Sequence, residues 1–353
     1  MRIAMMTLNV YDNYGNMLQK YALYRTLKKF ADSVEVLWSP CTKNFFPYEL
    51  ELNRHSTGNL RDAAFRSVRE YKFKEFHDAN IQTRFHLPYL KDLADDYDFF
   101  VVGSDQVWNP QFAFPGRFLD FAPPKKRIAY AASIAIPILP KEFQNLYRQR
   151  ISAMPHVSLR EKEGCDLVEK LTGKRPLQVL DPVFLLASDD WREIIKRPSW
   201  LNQKKYERGY VMTYFLGGIM PEEVKILADK LDLPTINMLD KNNFNHFVTG
   251  VEEFLYLISH ANLICTNSFH ATSFSLIFRV PFIVYRAGMQ VVLERFSRLE
   301  SLLELFKLKE RLTDLNLKIK VDNPLKIDFT GYDEVLPLEK KKAFRFLANA
   351  LWQ

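Results

Sequence analysis

Cysteine is scarce in this chain. Cys41, Cys165 and Cys265 are the only three in 353 residues, far apart and without a C-x-x-C pair. That spacing offers neither a disulfide framework nor a zinc site of the usual ligand pattern, so no metal is expected and a reducing cytoplasmic compartment is the simplest one. Long apolar runs are missing as well. The opening MRIAMMTLNV is interrupted by YDNYGN after a few apolar residues, too short for a signal core or a membrane span, and no other run is long enough. Membrane contact would then be peripheral, with the basic, aromatic segment Arg61 to Arg84 as its candidate surface and the inner membrane face as its place. The sequence has no G-x-G-x-x-G dinucleotide pattern and no Walker-type phosphate loop. It shows no fixed-period repeat, no low-complexity tract, and no stripe of Lys and Arg interleaved with aromatics, which argues against a nucleic-acid partner.

What is present suits an α/β protein of two domains. Hydrophobic residues make up 47% of the chain, enough for well-filled interiors, and the +7 formal charge comes from 49 Lys and Arg spread among 42 Asp and Glu. An excess of that kind fits an anionic small molecule or an anionic membrane surface. Short β-type runs alternate with helical periods from end to end, the pattern of parallel sheets covered on both faces. Candidate strands are Arg2 to Leu8, Val34 to Trp38, Phe99 to Val102, Arg127 to Ala132, Val157 to Leu159 and Gln178 to Leu180. GNMLQKYALYRTLKKF reads as a helix, and Asn53 to Asn80 as an exposed helix or helical hairpin.

Strand character lapses between Ala187 and Lys205. It restarts with GYVMTYFL, PTINML, ANLIC and PFIVY, which alternate with PEEVKILADKL and VEEFLYLISHA as helices. The expected organisation is a Rossmann-like domain over 1–187, a second over 206–315, and a tail over 316–353. The tail's helix, LEKKKAFRFLANALW, packs back on the first domain. Two such sheets facing one cleft form the B-type glycosyltransferase arrangement.

Several short stretches place polar groups at strand ends, where open α/β sheets bind ligands. In FFVVGSDQVWNP a buried strand runs into Gly103, Ser104 and Asp105, with Gln106 and the flat face of Trp108 following, a combination suited to sugar hydroxyls. SLRE delivers Arg160, whose guanidinium can fork onto a carboxylate or phosphate. LDP, with Asp181 before Pro182, reads as a fixed extended turn at the domain junction. Asn13, Gly15 and Asn16 open a long helix whose N–H groups can hold an anion or hydroxyls. In TNSFHATSF, Asn267 and Ser268 cap a helix and His270 stands at its mouth, as a capping or core histidine or as a proton donor. Arg295 and Arg298, three apart, share one helix face.

In order and wording, GSDQVWNP, YAASI, SLRE, LDPVFLL, TNSFHATSFSLIFRVPFI and RFSRLESLLELFKL resemble the polysaccharide pyruvyl transferase family over roughly residues 1–312. The resemblance implies the B-type fold and transfer of a pyruvyl group from phosphoenolpyruvate to two hydroxyls of one sugar. The product is a cyclic ketal on a bacterial surface polysaccharide, of the capsule or exopolysaccharide kind, or on its lipid-linked precursor. Phosphoenolpyruvate is then a co-substrate and no separate cofactor is implied. By the same resemblance His270 is the catalytic acid or base. Arg160, Ser268, Phe269 and Arg298 hold the donor, while Asn13, Gly15, Asn16, Ser104, Asp105, Gln106 and Trp108 face the acceptor. Where some relatives carry R-L-H, this chain has Ser268-Phe269-His270, so the arginine beside the histidine is missing. The alternatives are a nucleotide-sugar glycosyltransferase of the same fold and a non-catalytic scaffold of a glycan-assembly complex.

Overall fold

A computed structural model describes residues 1–38, 60–85, 90–112, 116–136, 138–202, 204–217, 220–288, 296–315 and 321–352. Cys41, Arg295 and the start of the expected Asn53 to Asn80 helix lie outside these. Among the described residues two parallel sheets carry the chain. The first contains β1 (Arg2–Met6), β2 (Ser33–Trp38), β3 (Thr83–Phe85), β4 (Phe99–Val102), β5 (Arg127–Ala132), β6 (His156–Leu159) and β7 (Leu177–Gln178), in the order β3-β2-β1-β4-β5-β6-β7. The second contains β8 (Val211–Tyr214), β9 (Thr235–Asn237), β10 (Leu263–Thr266), β11 (Phe282–Arg286) and β12 (Leu312–Asp314), in the order β12-β11-β10-β8-β9. Central strands such as β5 and β10 are buried at every residue, as parallel strands covered on both faces must be.

In each sheet the strand order reverses once, between β1 and β4 and between β8 and β10. Those reversals open crevices at the carboxyl ends of the strands. The helices that leave them are α1 (Tyr14–Leu27), after β1, and, later in the chain, the helix over Phe269–Phe278, after β10. Between these two come α2 (Leu60–Asn80), α3 (Lys141–Ser152), α4 (Lys162–Thr172), α5 (Glu222–Lys230) and α6 (Val251–Ser259), so the Phe269–Phe278 helix is α7. It is followed by α8 (Ser297–Leu305) and α9 (Thr330–Leu351).

The two halves share one apolar core. It runs from Ile3, Tyr14 and Tyr21 through Trp191 to Phe254 and Phe274. Tyr14 stacks on Phe254 at 4.0 Å between ring centroids, and its hydroxyl donates to the Thr249 carbonyl at 2.6 Å. Smaller clusters lie on the outer faces, one beneath α3 and α4 with Trp108 and Tyr147, the other around Val211, Phe215 and Tyr285.

The strands expected from sequence fall within about two residues of those observed, whereas β3, a short edge strand, carries too little apolar pattern to be read. The final helix starts at Thr330, earlier than Leu338, because a proline inside a helical pattern reads as a boundary. Pro337 is nonetheless inside α9. Packing of Tyr332 on Phe306 (4.9 Å) and ion pairing of Asp333 with Arg279 hold the turns before it. Beyond it, Phe344 and Phe346 pack on Phe30 and Tyr130 of the first half (both 6.2 Å), so α9 spans both halves.

Candidate active site

The turn between β10 and α7 is held by its own polar side chains. Thr266 donates its hydroxyl to the Tyr214 carbonyl and accepts from the Ser268 N–H at 2.9 Å. Asn267 accepts from Leu216 N–H (2.6 Å) and donates to the Leu216 and Ala287 carbonyls (3.0 and 2.8 Å), tying the ends of β8 and β11 together. Ser268 caps α7, its Oγ accepting from Ala271 N–H at 3.4 Å. With those residues fixed, Phe269 and His270 in the first helical turn are aimed at the other half.

There the His270 ring lies on Gly15. A Cβ at that position would sit 2.0 Å from His270 Nδ1, so any side chain would displace the imidazole. Gly15 is placed by the cap of α1, where Asn13 Oδ1 accepts from Asn16 N–H at 3.0 Å. The switch points of the two sheets therefore meet at one histidine and one glycine.

Around them is a buried charged cluster. Arg160, at the end of β6, hydrogen-bonds the Asp181 carboxylate and lies 3.6 Å from Asp105 and 3.9 Å from Glu161. Its guanidinium is 4.6 Å from the Phe269 ring centroid, in cation–π range. Asp181 Oδ1 accepts from Val183 N–H at 3.1 Å, and Oδ2 stands 3.5 Å from His270 Nε2. Burial alone would raise the Asp181 carboxyl, but the His270 ring and the Arg160 guanidinium outweigh it and hold the group well below the usual carboxylate range. Asp105 is likewise lowered against its burial, by Arg160, His270 and Arg298. Arg160 loses to burial and gains more from Asp181, Asp105 and Glu161, so its pKa rises.

Despite this crowding, the cluster is not internally satisfied. Arg160 Nε and Nη2, Glu161 Oε2 and His270 Nε2 are all buried without a hydrogen-bond partner. Their nearest opposite charges, at 3.5 to 3.9 Å, are too far for good hydrogen bonds. Four such atoms converging at one place is the mark of a site that expects a ligand or ordered water. Beside them is a cavity of about 220 Å³ walled by Arg160, Phe269, Asp181, Arg298, Ser301 and Lys342. His270 is not one of its walls, but its Nε2 is 3.5 Å from Asp181, which is.

The sequence-predicted residues divide. Arg160, Phe269 and Arg298 line the cavity, with Ser268 beneath as the cap. Asn16 and Asp105 join the cluster, Asn16 Nδ2 donating to Asp105 Oδ2 at 3.3 Å, and Asp105 adopts a positive φ of 60° that turns it inward. Gln106 is half-buried, its side-chain oxygen accepting from Asn109. Two residues expected on the acceptor side are scaffold instead. The Ser104 hydroxyl is buried and donates to the Ala131 carbonyl at 2.8 Å. Trp108 is fully buried on the far face of the first sheet, with Nε1–H donating to the Arg117 carbonyl at 2.9 Å, so no ring face reaches the cleft. Gly103 makes that turn possible. With φ of 139°, a Cβ there would fall 2.0 Å from the Tyr130 carbonyl oxygen.

Sequence reasoning missed Asp181 as a member of the site. The dipeptide with Pro182 explains its backbone, but nothing local says that its carboxylate meets residues 21 and 89 positions away. Glu339 and Lys342 of α9, which also wall the cavity, give no local signal either. Among the described residues no group of three or more His, Cys, Asp or Glu is placed to hold a metal, and no helix is long and apolar enough to cross a membrane.

The model of the polysaccharide pyruvyl transferase family matches residues 13–286, from the cap of α1 to the end of β11. The chain belongs to that family. Among curated proteins no match was found. Solved structures show similarity at low identity. Anabaena HepE, in complex with UDP and glucose, is 10% identical over 99% of this chain and 100% of its own, with a TM-score of 0.51. The UDP-GlcNAc 2-epimerase of Neisseria meningitidis is 11% identical over 97% and 94%, at 0.47, and the ADP-heptose heptosyltransferase II of E. coli 12% over 96% and 100%, at 0.36. The pyruvyl transferase relative is thus an α/β protein of B-type architecture, two parallel sheets meeting at their switch points.

Proposed function

We propose that this family member transfers a pyruvyl group from phosphoenolpyruvate to two hydroxyls of one sugar in a surface polysaccharide or its lipid-linked precursor, closing a cyclic ketal and releasing phosphate. The observation that carries the reading is the convergence of a histidine and a buried arginine with unpartnered nitrogens at the junction of the two sheets. Arg160 and Arg298 bind the donor's carboxylate and phosphate, and the first-turn N–H groups of α7, which lack intrahelical acceptors, add to them. His270 protonates the donor's methylene carbon. The cation-like centre left at the adjacent carbon is taken by the first sugar hydroxyl, whose proton returns to the ring; phosphate then leaves, taking the proton of the second hydroxyl as that hydroxyl closes the ketal. Asp181, ionised beside Nε2, orients the ring and offsets its charge when protonated. Asn16 and Asp105 meet the acceptor.

The size of the cavity favours this donor over a nucleotide sugar. About 220 Å³ lies below the roughly 300–1,000 Å³ of sites for drug-sized ligands, and suits a three-carbon phosphate ester. The test is product analysis after incubating the protein with phosphoenolpyruvate and saccharide acceptors. One pyruvate ketal and one phosphate per turnover are expected, both formed at least about a hundredfold more slowly with His270→Ala. Ketal formation at an unchanged rate by that variant removes His270 from the mechanism.

A further inference from the structure

The outer face of α9 carries charge that the fold leaves unanswered. At 100° per residue, Leu338, Lys341, Lys342, Arg345, Asn349 and Trp352 project within an arc of about 100°. Leu338 and Trp352 are each 68% exposed although both are large and apolar. The acids of α9 are all in its first half and all paired, Asp333 with Arg279, Glu334 with Lys307 and Glu339 with Lys342. From Lys340 to Gln353 there is no acid at all. Among the described residues Lys341 and Arg345 make no ion pair or hydrogen bond. Lys340 is turned to the Leu186 carbonyl, and Lys29 of the first half approaches the Phe344 ring at 6.0 Å, adding to the positive field. Between α9 and β7 runs an open groove of about 610 Å³, with Lys341, Lys342 and Arg345 on one side and the exposed Leu177 on the other.

The contrast with α2 is instructive, because the sequence makes α2 the better membrane candidate. Its cations are taken up within the protein. Arg69 is buried and donates to the Asp12 and Phe247 carbonyls, Arg61 donates to the Asn242 carbonyl, Lys72 pairs with Glu253 and Lys74 with Asp78. On α9 Lys341 and Arg345 are left free and are flanked by apolar side chains, the combination that an anionic lipid interface recognises.

We propose that α9 docks this protein on an anionic lipid surface, with Lys341 and Arg345 on the headgroups and Leu338 and Trp352 entering the interface. An acidic protein or nucleic acid would use the cations but leaves unused the exposed surface of Leu338 and of Trp352, whose ring rests on Phe30 at 5.4 Å. Lys342 lines both the groove and the cavity beside Arg160, so docking sets the site close to the bilayer. Only that last consequence, access to a lipid-linked acceptor, rests on the proposed reaction; the docking itself does not.

Vesicle flotation of the full chain tests it without any substrate. Vesicles of equal parts phosphatidylcholine and phosphatidylglycerol should carry the protein up, those of phosphatidylcholine alone should not, and raising the salt from about 0.1 to about 0.5 M should release it. Lys341→Glu with Arg345→Glu should weaken partitioning at least about tenfold, taking each basic side chain as worth about fivefold. Leu338→Ser with Trp352→Ser should weaken it by a smaller factor. Should charge reversal impair folding, Lys341→Gln with Arg345→Gln gives the same comparison at lower cost to the helix. No flotation of the wild type, equal flotation of the charge variants, or loss of duplex DNA binding by those variants with flotation intact would each overturn the proposal.

Discussion

Two buried polar networks lie side by side in this molecule, and they are built on opposite terms. In the first, Gln19 Nε2 donates to Thr7 Oγ1 (3.1 Å) while its Oε1 accepts from Ser104 N–H (3.0 Å), and the Ser104 hydroxyl donates to Ala131. Every one of those groups finds its partner inside the protein. In the second, Arg160, Glu161, Asp181 and His270 attract one another strongly yet leave four buried atoms without a hydrogen bond. The satisfied network shapes the turn after β4; the unsatisfied one is where, on the proposed function, the donor would complete the structure. Proximity to the switch point is common to both, so it is satisfaction of polar groups, not position, that separates scaffold from site.

Substitutions should separate the two in the same way. His270→Ala should lower turnover by about 10²–10⁴, as measured by phosphate release. Gly15→Ala, which touches no substrate, should cost about 10² in turnover by driving the ring from its place, since misplacement of about 1 Å is enough. Asp181→Asn should act on both counts. Removing one partner of a buried ion pair costs about 3–5 kcal/mol, and it also frees the histidine ring.

The pH dependence of that pair has a definite sign. Asp181 has a depressed folded-state pKa, so its stabilising contribution is present above the ordinary carboxylate value and lost as pH falls through the lower, folded value. Acid titration of unfolding should therefore show a wild-type step well below pH 4 that the asparagine variant lacks. In the satisfied network the expected effects are smaller and confined to stability. Ser104→Ala should destabilise by about 1 kcal/mol while turnover stays within about twofold.

A lone buried charge provides the smallest and most particular test. Lys20 is fully buried, without a hydrogen-bond partner, between the Trp38 and Tyr11 rings at 5.7 and 6.0 Å. Burial lowers its pKa to about 7. The folded state thus binds fewer protons than the unfolded one between about pH 7 and the ordinary lysine value, and stability should rise with pH across that window. Lys20→Met should be more stable at neutral pH and lose that slope in thermal melts.

Much of this architecture is legible in the residues, and the parts that are not share a cause. Apolar runs such as FFVV and LICT announce buried parallel strands, and the turns after them announce where ligands sit. Arg160 and His270 stand out at strand ends, but side-chain type alone leaves a structural role open for both; it is the family resemblance of SLRE and TNSFHATSF that points to function. Trp108 shows the limit. An aromatic after a strand says nothing about which face of the sheet it will join, and it joins the far one. Asp181 and Lys342 owe their places to contacts made across the fold, which local pattern does not encode, and the same holds for the Gly15 contact with His270, though Gly15 itself stands out at the start of α1.

Calorimetric titration of phosphoenolpyruvate into the wild-type protein and into Arg160→Met tests the central claim most directly. Saturable binding to the wild type, weakened at least about tenfold by losing the charge-assisted hydrogen bonds of Arg160, is the predicted result. Binding of a nucleotide sugar without any binding of phosphoenolpyruvate, or equal affinity in the two proteins, would contradict it.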